Sequence, residues 1–226
     1  MTFLRSSALA LATSFAIASS AHATGPVRTG TQADLLDRAV AAWAKVKTAR
    51  ASFEQTIVNS LTGRTMTASG SYQQERPGKL SVIFADPATD RIIADGKHVW
   101  MYLPSTAPGQ VIKQLQDANG TGTVDLTAQF LTSPRTRFNI DAAGTQVVSG
   151  RATHGYTLTP KSSANAPFKA AAVWIDDDDA TIRMFEVTDA SGVQRKVRLT
   201  SFKTNVPVDA SAFKFDVPSG VRVVER

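Results

Sequence analysis

Two of the three histidines, a run of four aspartates and one strand-end arginine are the side chains of this chain that could do more than pack. His98 and His154 stand far apart, and no cysteine occurs anywhere. The inventory therefore holds no thiolate ligand, no cysteine nucleophile and no disulfide. Two separated histidines do not make up a zinc site or a Ser-His-Asp triad. His98 shares a strand face with Trp100 and Tyr102, opposite Val99 and Met101, and is expected to face solvent; His154 sits beside Gly155 in a turn or strand start. No G-x-S-x-G elbow, P-loop or dinucleotide-binding glycine motif is present. Asp176-Asp177-Asp178-Asp179 could offer oxygen ligands to a calcium ion. Neighbouring side chains in a turn diverge, however, so a solvated hairpin turn is the expected role. No catalytic residue, metal or cofactor is expected, and the chain reads as a non-enzyme.

Arg76 is different. It stands at the mouth of an otherwise alternating, apolar strand, Lys79–Ala85. One role for it is a surface ion pair with Glu75 or Asp86, worth about 0–1 kcal/mol. The other is an inward guanidinium whose five donors hold backbone carbonyls of a covering helix. The residues alone leave both open.

The elements that would position Arg76 follow from periodicity. Thr31 can cap a helix with Asp34 in its first turn. Leu35, Leu36, Ala39, Val40, Trp43 and Val46 then recur at helical spacing, predicting an amphipathic helix over 32–48. From Ala51 the period becomes two, with turn signals at short intervals, among them Thr62-Gly63, Pro77-Gly78, Asp95-Gly96, Asn119-Gly120 and Ala143-Gly144. This predicts an antiparallel meander with strands near 50–60, 64–75, 79–85, 89–94, 97–103, 109–116, 136–141, 144–149, 152–160, 167–175, 181–189, 193–205 and 221–225. Two interruptions are expected: a short helix at Val124–Thr132, with Leu126, Phe130 and Leu131 apolar, and one helical turn at Val208–Phe213. A sheet of about eight or more strands curls and encloses volume. Two amphipathic helices are too few to cover it as a layer but enough to plug the mouth of a partial barrel. Its interior is then either filled by side chains or left as a dry apolar cavity.

The first residues set the compartment. Arg5, the apolar stretch Ala8–Ala18 and Ala21-His22-Ala23 have the form of a cleaved secretory leader, residues 1–23, too short for a membrane span. Residues 24–226 then form one expected domain, soluble in the periplasm, without the cysteine that a lipid anchor needs. The charge of +6 over the chain is spread rather than clustered, which suits solubility and acidic partners and leaves no nucleic-acid partner expected.

The pattern Ala51-Ser52-Phe53-x-Gln55, Gly70 and Arg76-Pro77-Gly78-Lys79-Leu80 resembles the LolA family of periplasmic lipoprotein carriers. So do Pro87, Ile92-Ile93-Ala94-Asp95-Gly96, Val99-Trp100-Met101-Tyr102-Leu103-Pro104, Leu158-Thr159-Pro160-Lys161 and Val208-Asp209-Ala210-Ser211-Ala212-Phe213-Lys214-Phe215. The resemblance implies a mainly β fold: an incomplete antiparallel barrel with a helical lid over a hydrophobic cavity. It implies a monomeric shuttle for acylated lipoproteins, taking them from an inner-membrane ABC-type release complex to an outer-membrane receptor. By motif position Arg76 is similar to the arginine that closes the lid, with Trp43, Leu126 and Phe130 as lid contacts. The cavity is expected from Phe53, Ile57, Leu80, Val82, Phe84, Ile92 and Met101. Leu80 and Val82 stand where relatives often carry aromatics. The alternative function is a lipid- or lipoprotein-sensing regulatory domain of the cell envelope.

Overall fold

The computed structural model describes residues 32–226 except 117–124, 126, 163, 165 and 167. The expected leader 1–23, the capping Thr31, the side chain of Asp34, the turn Asn119-Gly120 and Leu126 lie outside the described residues.

Helix α1 (Gln32–Ala44) turns Leu35, Leu36, Ala39 and Trp43 to one buried face. It ends before the expected residue 48. Lys45 N–H donates to Ala42 O at 3.1 Å and Val46 N–H to Trp43 O at 3.0 Å, tightening the final turn to i→i+3 bonds before the chain straightens. Strands follow: β1 (Thr48–Asn59), β2 (Thr65–Glu75), β3 (Lys79–Asp86), β4 (Arg91–Asp95), β5 (His98–Tyr102) and β6 (Gln110–Leu115). After them come α2 (Ala128–Leu131) and α3 (Pro134–Arg137), then β7 (Phe138–Val148), β8 (Arg151–Pro160), β9 (Ala170–Asp176), β10 (Ile182–Thr188), β11 (Val193–Thr204) and β12 (Arg222–Glu225).

All twelve strands form one sheet in the order β12-β6-β5-β4-β3-β2-β1-β11-β10-β9-β8-β7. Its two meanders are joined by the long antiparallel pairing of β1 with β11, and its ends, β7 and β12, do not meet. The architecture is an open, unclosed β-sheet with few helices.

Three expectations need correction. The strands expected at 136–141 and 144–149 are one strand, β7, because Gly144 at φ 81° takes up a bulge between Ala142 and Thr145 where a turn was read. Residues 134–137 form α3, for Ser133 turns into the left-handed region at φ 46° and Pro134 starts a fresh helical turn. Finally, β12 runs parallel to β6, so the sheet is not wholly antiparallel; residues 205–221 carry the chain from β11 across to the edge beside β6 as the last leg of the crossover that a parallel pair requires. The expected helical turn at 208–213 is a 3₁₀ turn, Ala210–Phe213, capped by Asp209, whose Oδ1 accepts from Ser211 N–H at 2.9 Å.

The face that His98 shares with Trp100 and Tyr102 is not open to solvent as expected, and His98 itself is half-buried. Phe215 stacks on Trp100 at 5.4 Å and tilts against Tyr102 at 6.0 Å, so this face carries the C-terminal segment. The opposite face meets the helices in one core that includes Leu36, Trp43, Phe53, Tyr72, Phe130 and Phe185. Gly70 is required there: a Cβ at this position would sit 2.2 Å from Ile83 O and 3.0 Å from the Phe53 ring.

Candidate functional site

Arg76 lies just past β2, where its backbone N–H donates to Lys47 O at 2.8 Å. That bond aims the side chain at the end of α1. Its Nη1 donates to Trp43 O at 2.8 Å and to Val46 O at 3.0 Å, and its guanidinium lies 5.1 Å from the centre of the Trp43 ring. Trp43 O, which also accepts from Val46 N–H, and Val46 O, just past the end of α1, lie at the negative end of the helix dipole, where a cation is favoured. Glu75, one of the surface partners considered for Arg76, pairs with Lys79 at 2.8 Å.

The ion-pair partner of Arg76 is Asp125, whose Oδ2 lies 3.1 Å from Nε. Asp125 is 4% exposed, and its Oδ1 accepts from Thr127 N–H at 3.2 Å and Ala128 N–H at 2.8 Å, so it caps the segment leading into α2. Burial pushes its carboxyl up; the N–H groups and Arg76 oppose this without cancelling it. Tyr72 closes the group. Burial, then the charge of Asp125, drive its phenol well above the ordinary range, against the pull of Arg76, and its hydroxyl donates to the buried Gln74. Sequence reasoning missed Asp125. Its signal was an acidic residue two and three positions before N–H groups at a helix start, hidden because the helix was expected to begin at residue 124.

Trp43 and Phe130 are both buried on the helix side of the sheet. Phe130 reaches Phe185 at 5.2 Å and Phe168 at 5.9 Å between ring centres. Of the expected cavity residues, Phe53, Leu80 and Val82 are buried in the core, and Phe84, Ile92 and Met101 are half-buried against it. Ile57, near the far end of β1, is partly exposed and outside that cluster. The stripe of α1 and the α2 side chains thus occupy the space beneath them. A cavity of about 270 Å³ lies between α1, β10 and β11, lined among others by Trp43, Leu131, Ile182 and Phe202; of the expected site residues it includes only Trp43.

The aspartate run is also not a purely solvated turn. Asp176 is 1% exposed and receives Arg151 through Nε at 2.6 Å and Nη2 at 3.0 Å, and Arg183 Nε at 2.9 Å. Burial opposes its ionisation, but these bonds and the Asp178 N–H outweigh burial and hold the carboxyl at about 2. His154 Nδ1 lies 2.6 Å from Asp177 Oδ1. Among the described residues no group of three or more His, Cys, Asp or Glu is placed to hold a metal ion, and no helix is long and apolar enough to cross a membrane.

Comparison with known proteins gives this geometry a context. A solved structure of an uncharacterised conserved protein from Thermus thermophilus superposes with a TM-score of 0.52 at 15% identity, covering 86% of this chain and 98% of that one; the likeness is one of fold. An outer-membrane lipoprotein carrier protein of Bordetella avium is 34% identical over 191 residues, 80% of this chain and 83% of its own. The protein of the same name from Bordetella pertussis is 31% identical over the full length of both chains. The family model for outer membrane lipoprotein carrier protein LolA matches residues 44–216, and the chain belongs to that family.

Proposed function

We propose that this chain is a periplasmic carrier that takes up the acyl chains of lipoproteins and hands them on without reacting with them. Residues 1–23 act as a leader and 24–226 as one carrier unit; cargo arrives from an inner-membrane ABC-type release complex and leaves to an outer-membrane receptor. Each acyl CH₂ moved from membrane to water costs about 0.8 kcal/mol, so free diffusion of several chains is negligible. A carrier must cover them with comparable apolar surface.

One observation carries the reading: Arg76 grips the Trp43 carbonyl in the last turn of α1, the Val46 carbonyl just past it and the capping aspartate of α2 at the same time. A single side chain therefore ties both covering segments to the sheet, as a lid fastening would. The cavity of about 270 Å³ beside α1 is below the roughly 300–1,000 Å³ of ordinary small-ligand pockets and is lined by none of Phe53, Leu80, Val82, Phe84, Ile92 and Met101, so α1 and α2 must swing away to admit acyl chains between themselves and those residues. Closure of the empty carrier competes with cargo and keeps retention weak enough for delivery. Hydrogen bonds to a charged group contribute about 1.5–3 kcal/mol each, enough to tilt that competition.

Arg76→Leu is expected to accept lipoprotein from inner-membrane vesicles supplied with ATP but to release it poorly to receptor-bearing outer-membrane vesicles. Equal transfer by mutant and wild type in this reconstituted assay removes Arg76 from the mechanism. Failure of the wild type to appear with lipoprotein in the vesicle-free fraction removes the carrier reading.

A further inference from the structure

Arg76 fastens the C-terminal end of α1, yet the helix is also held near its middle. Arg38 Nη2 donates to Asp178 O at 3.0 Å, and both terminal nitrogens reach Asp177 O at 3.4 Å. Those carbonyls belong to the β9–β10 turn, which is itself braced. Arg151 and Arg183 converge on Asp176, Arg151 Nη2 also lies 3.2 Å from Asp178 Oδ2, and Asp178 N–H donates to Asp176 Oδ1 at 2.9 Å. The neighbouring helix residue, Asp37, takes a two-pronged ion pair from Arg135 of α3, both contacts at 3.0 Å. Two successive residues of α1 thus join it to the sheet turn and to α3. From Arg38 to Trp43 and Val46 the helix rises about 8–12 Å at 1.5 Å per residue. Arg38 and Arg76 share no bonding partner among the described residues.

We propose that the aspartate turn 176–179 is a second catch for the lid helix, with Arg38 as its positioning residue, and that it acts independently of Arg76. The proposal rests on the reading of α1 as a lid. Losing one catch weakens closure and adds part of the open population while the other still holds the helix, so full clearance of the sheet for cargo requires both to open. Sites this far apart with no shared partner contribute additively. The four aspartates then have a task that metal binding does not explain: two of them supply main-chain acceptors in a turn whose carboxylates attract the approaching guanidinium.

The absence of cysteine makes the test direct. Spin labels are placed on Ala41→Cys in α1 and Ser52→Cys in β1, both exposed positions, and the distance distribution is read by pulsed electron resonance. The wild-type background should give one short-distance population. Arg38→Gln and Arg76→Leu should each add a longer one, and the double variant should open by about the product of the two effects. Dissociation of a palmitoylated fluorescent peptide should slow about three- to fivefold in Arg38→Gln, the size expected of an exposed charged contact, with Arg38→Lys intermediate. Should Arg38→Gln fail to fold by circular dichroism, Arg38→Lys carries the test. Wild-type distances and rates in the Arg38 variants, or a double variant no more open than Arg76→Leu, overturn the second catch. Wider distances without any peptide binding would support the catch while removing the carrier reading.

Discussion

Asp125 and Asp176 are the same residue type, both nearly buried and both facing arginine, yet their carboxyls shift in opposite directions. Asp176 has two guanidiniums and the backbone N–H groups of Asp178 and Asp179, and its carboxyl is lowered to about 2 against the cost of burial. Asp125 has one guanidinium contact, through Nε, with two backbone N–H groups, and burial prevails. The balance between burial and the donors that face each carboxylate sets the sign. One region is an anchor that holds its charge firmly; the other holds a charge at a cost, which suits a fastening that must let go.

The sharpest way to break this contrast is Asp176→Asn. Removing this carboxylate charge leaves Arg183 with Asp179 as its remaining partner, and the expected loss is about 2–3 kcal/mol, below the usual figure for a broken buried pair because Arg183 keeps that partner and Arg151 is part-exposed. Urea unfolding at neutral pH measures it. A second, intermediate effect is the response to acid. The folded carboxyl of Asp176 lies below its ordinary 3.8, so its stabilisation is present above that value and disappears as pH falls towards about 2. Asp125 lies above 3.8; its contribution is full below that value and is lost as pH rises through its folded one. Urea midpoints collected between neutral pH and about 2 should show a flatter acid decline in Asp176→Asn and a steeper one in Asp125→Asn. The smallest effect is that of Asp125→Asn on neutral-pH stability, within about 1 kcal/mol of wild type, because the charge it removes is poorly compensated. A loss of several kcal/mol there would erase the distinction between anchor and fastening.

Much of the frame was legible in the chain. The helix-facing alternation Leu80, Val82, Phe84 and the opposed Val99 and Met101 announce strands with one greasy side; Thr62-Gly63 falls between β1 and β2 as expected, and Asp95-Gly96 turns the chain at the end of β4. Gly144 misled because positive φ serves a bulge as well as a turn. Trp100 and Tyr102 misled because nothing local shows that Phe215 will return to cover them. Asp125 went unread since its partner lies in a strand turn, not in its own helix. In the aspartate run, local composition suggested a solvated turn, but burial of Asp176 depends on Arg151 and Arg183, which belong to two different strands.

By itself the sequence determined which residues share a face, where the chain must turn, the exclusion of thiol chemistry and the presence of a permanent cation at the mouth of an apolar sheet. These are local properties, set by side-chain period and residue type. Only the tertiary structure decided what that cation grips, since Trp43 O and Val46 O lie 33 and 30 residues away along the chain. The same holds for Arg38 and the carbonyls of the aspartate turn, brought together from 139 and 140 residues apart. Such contacts follow from how the two meanders join through β1 and β11, and no local pattern encodes that register.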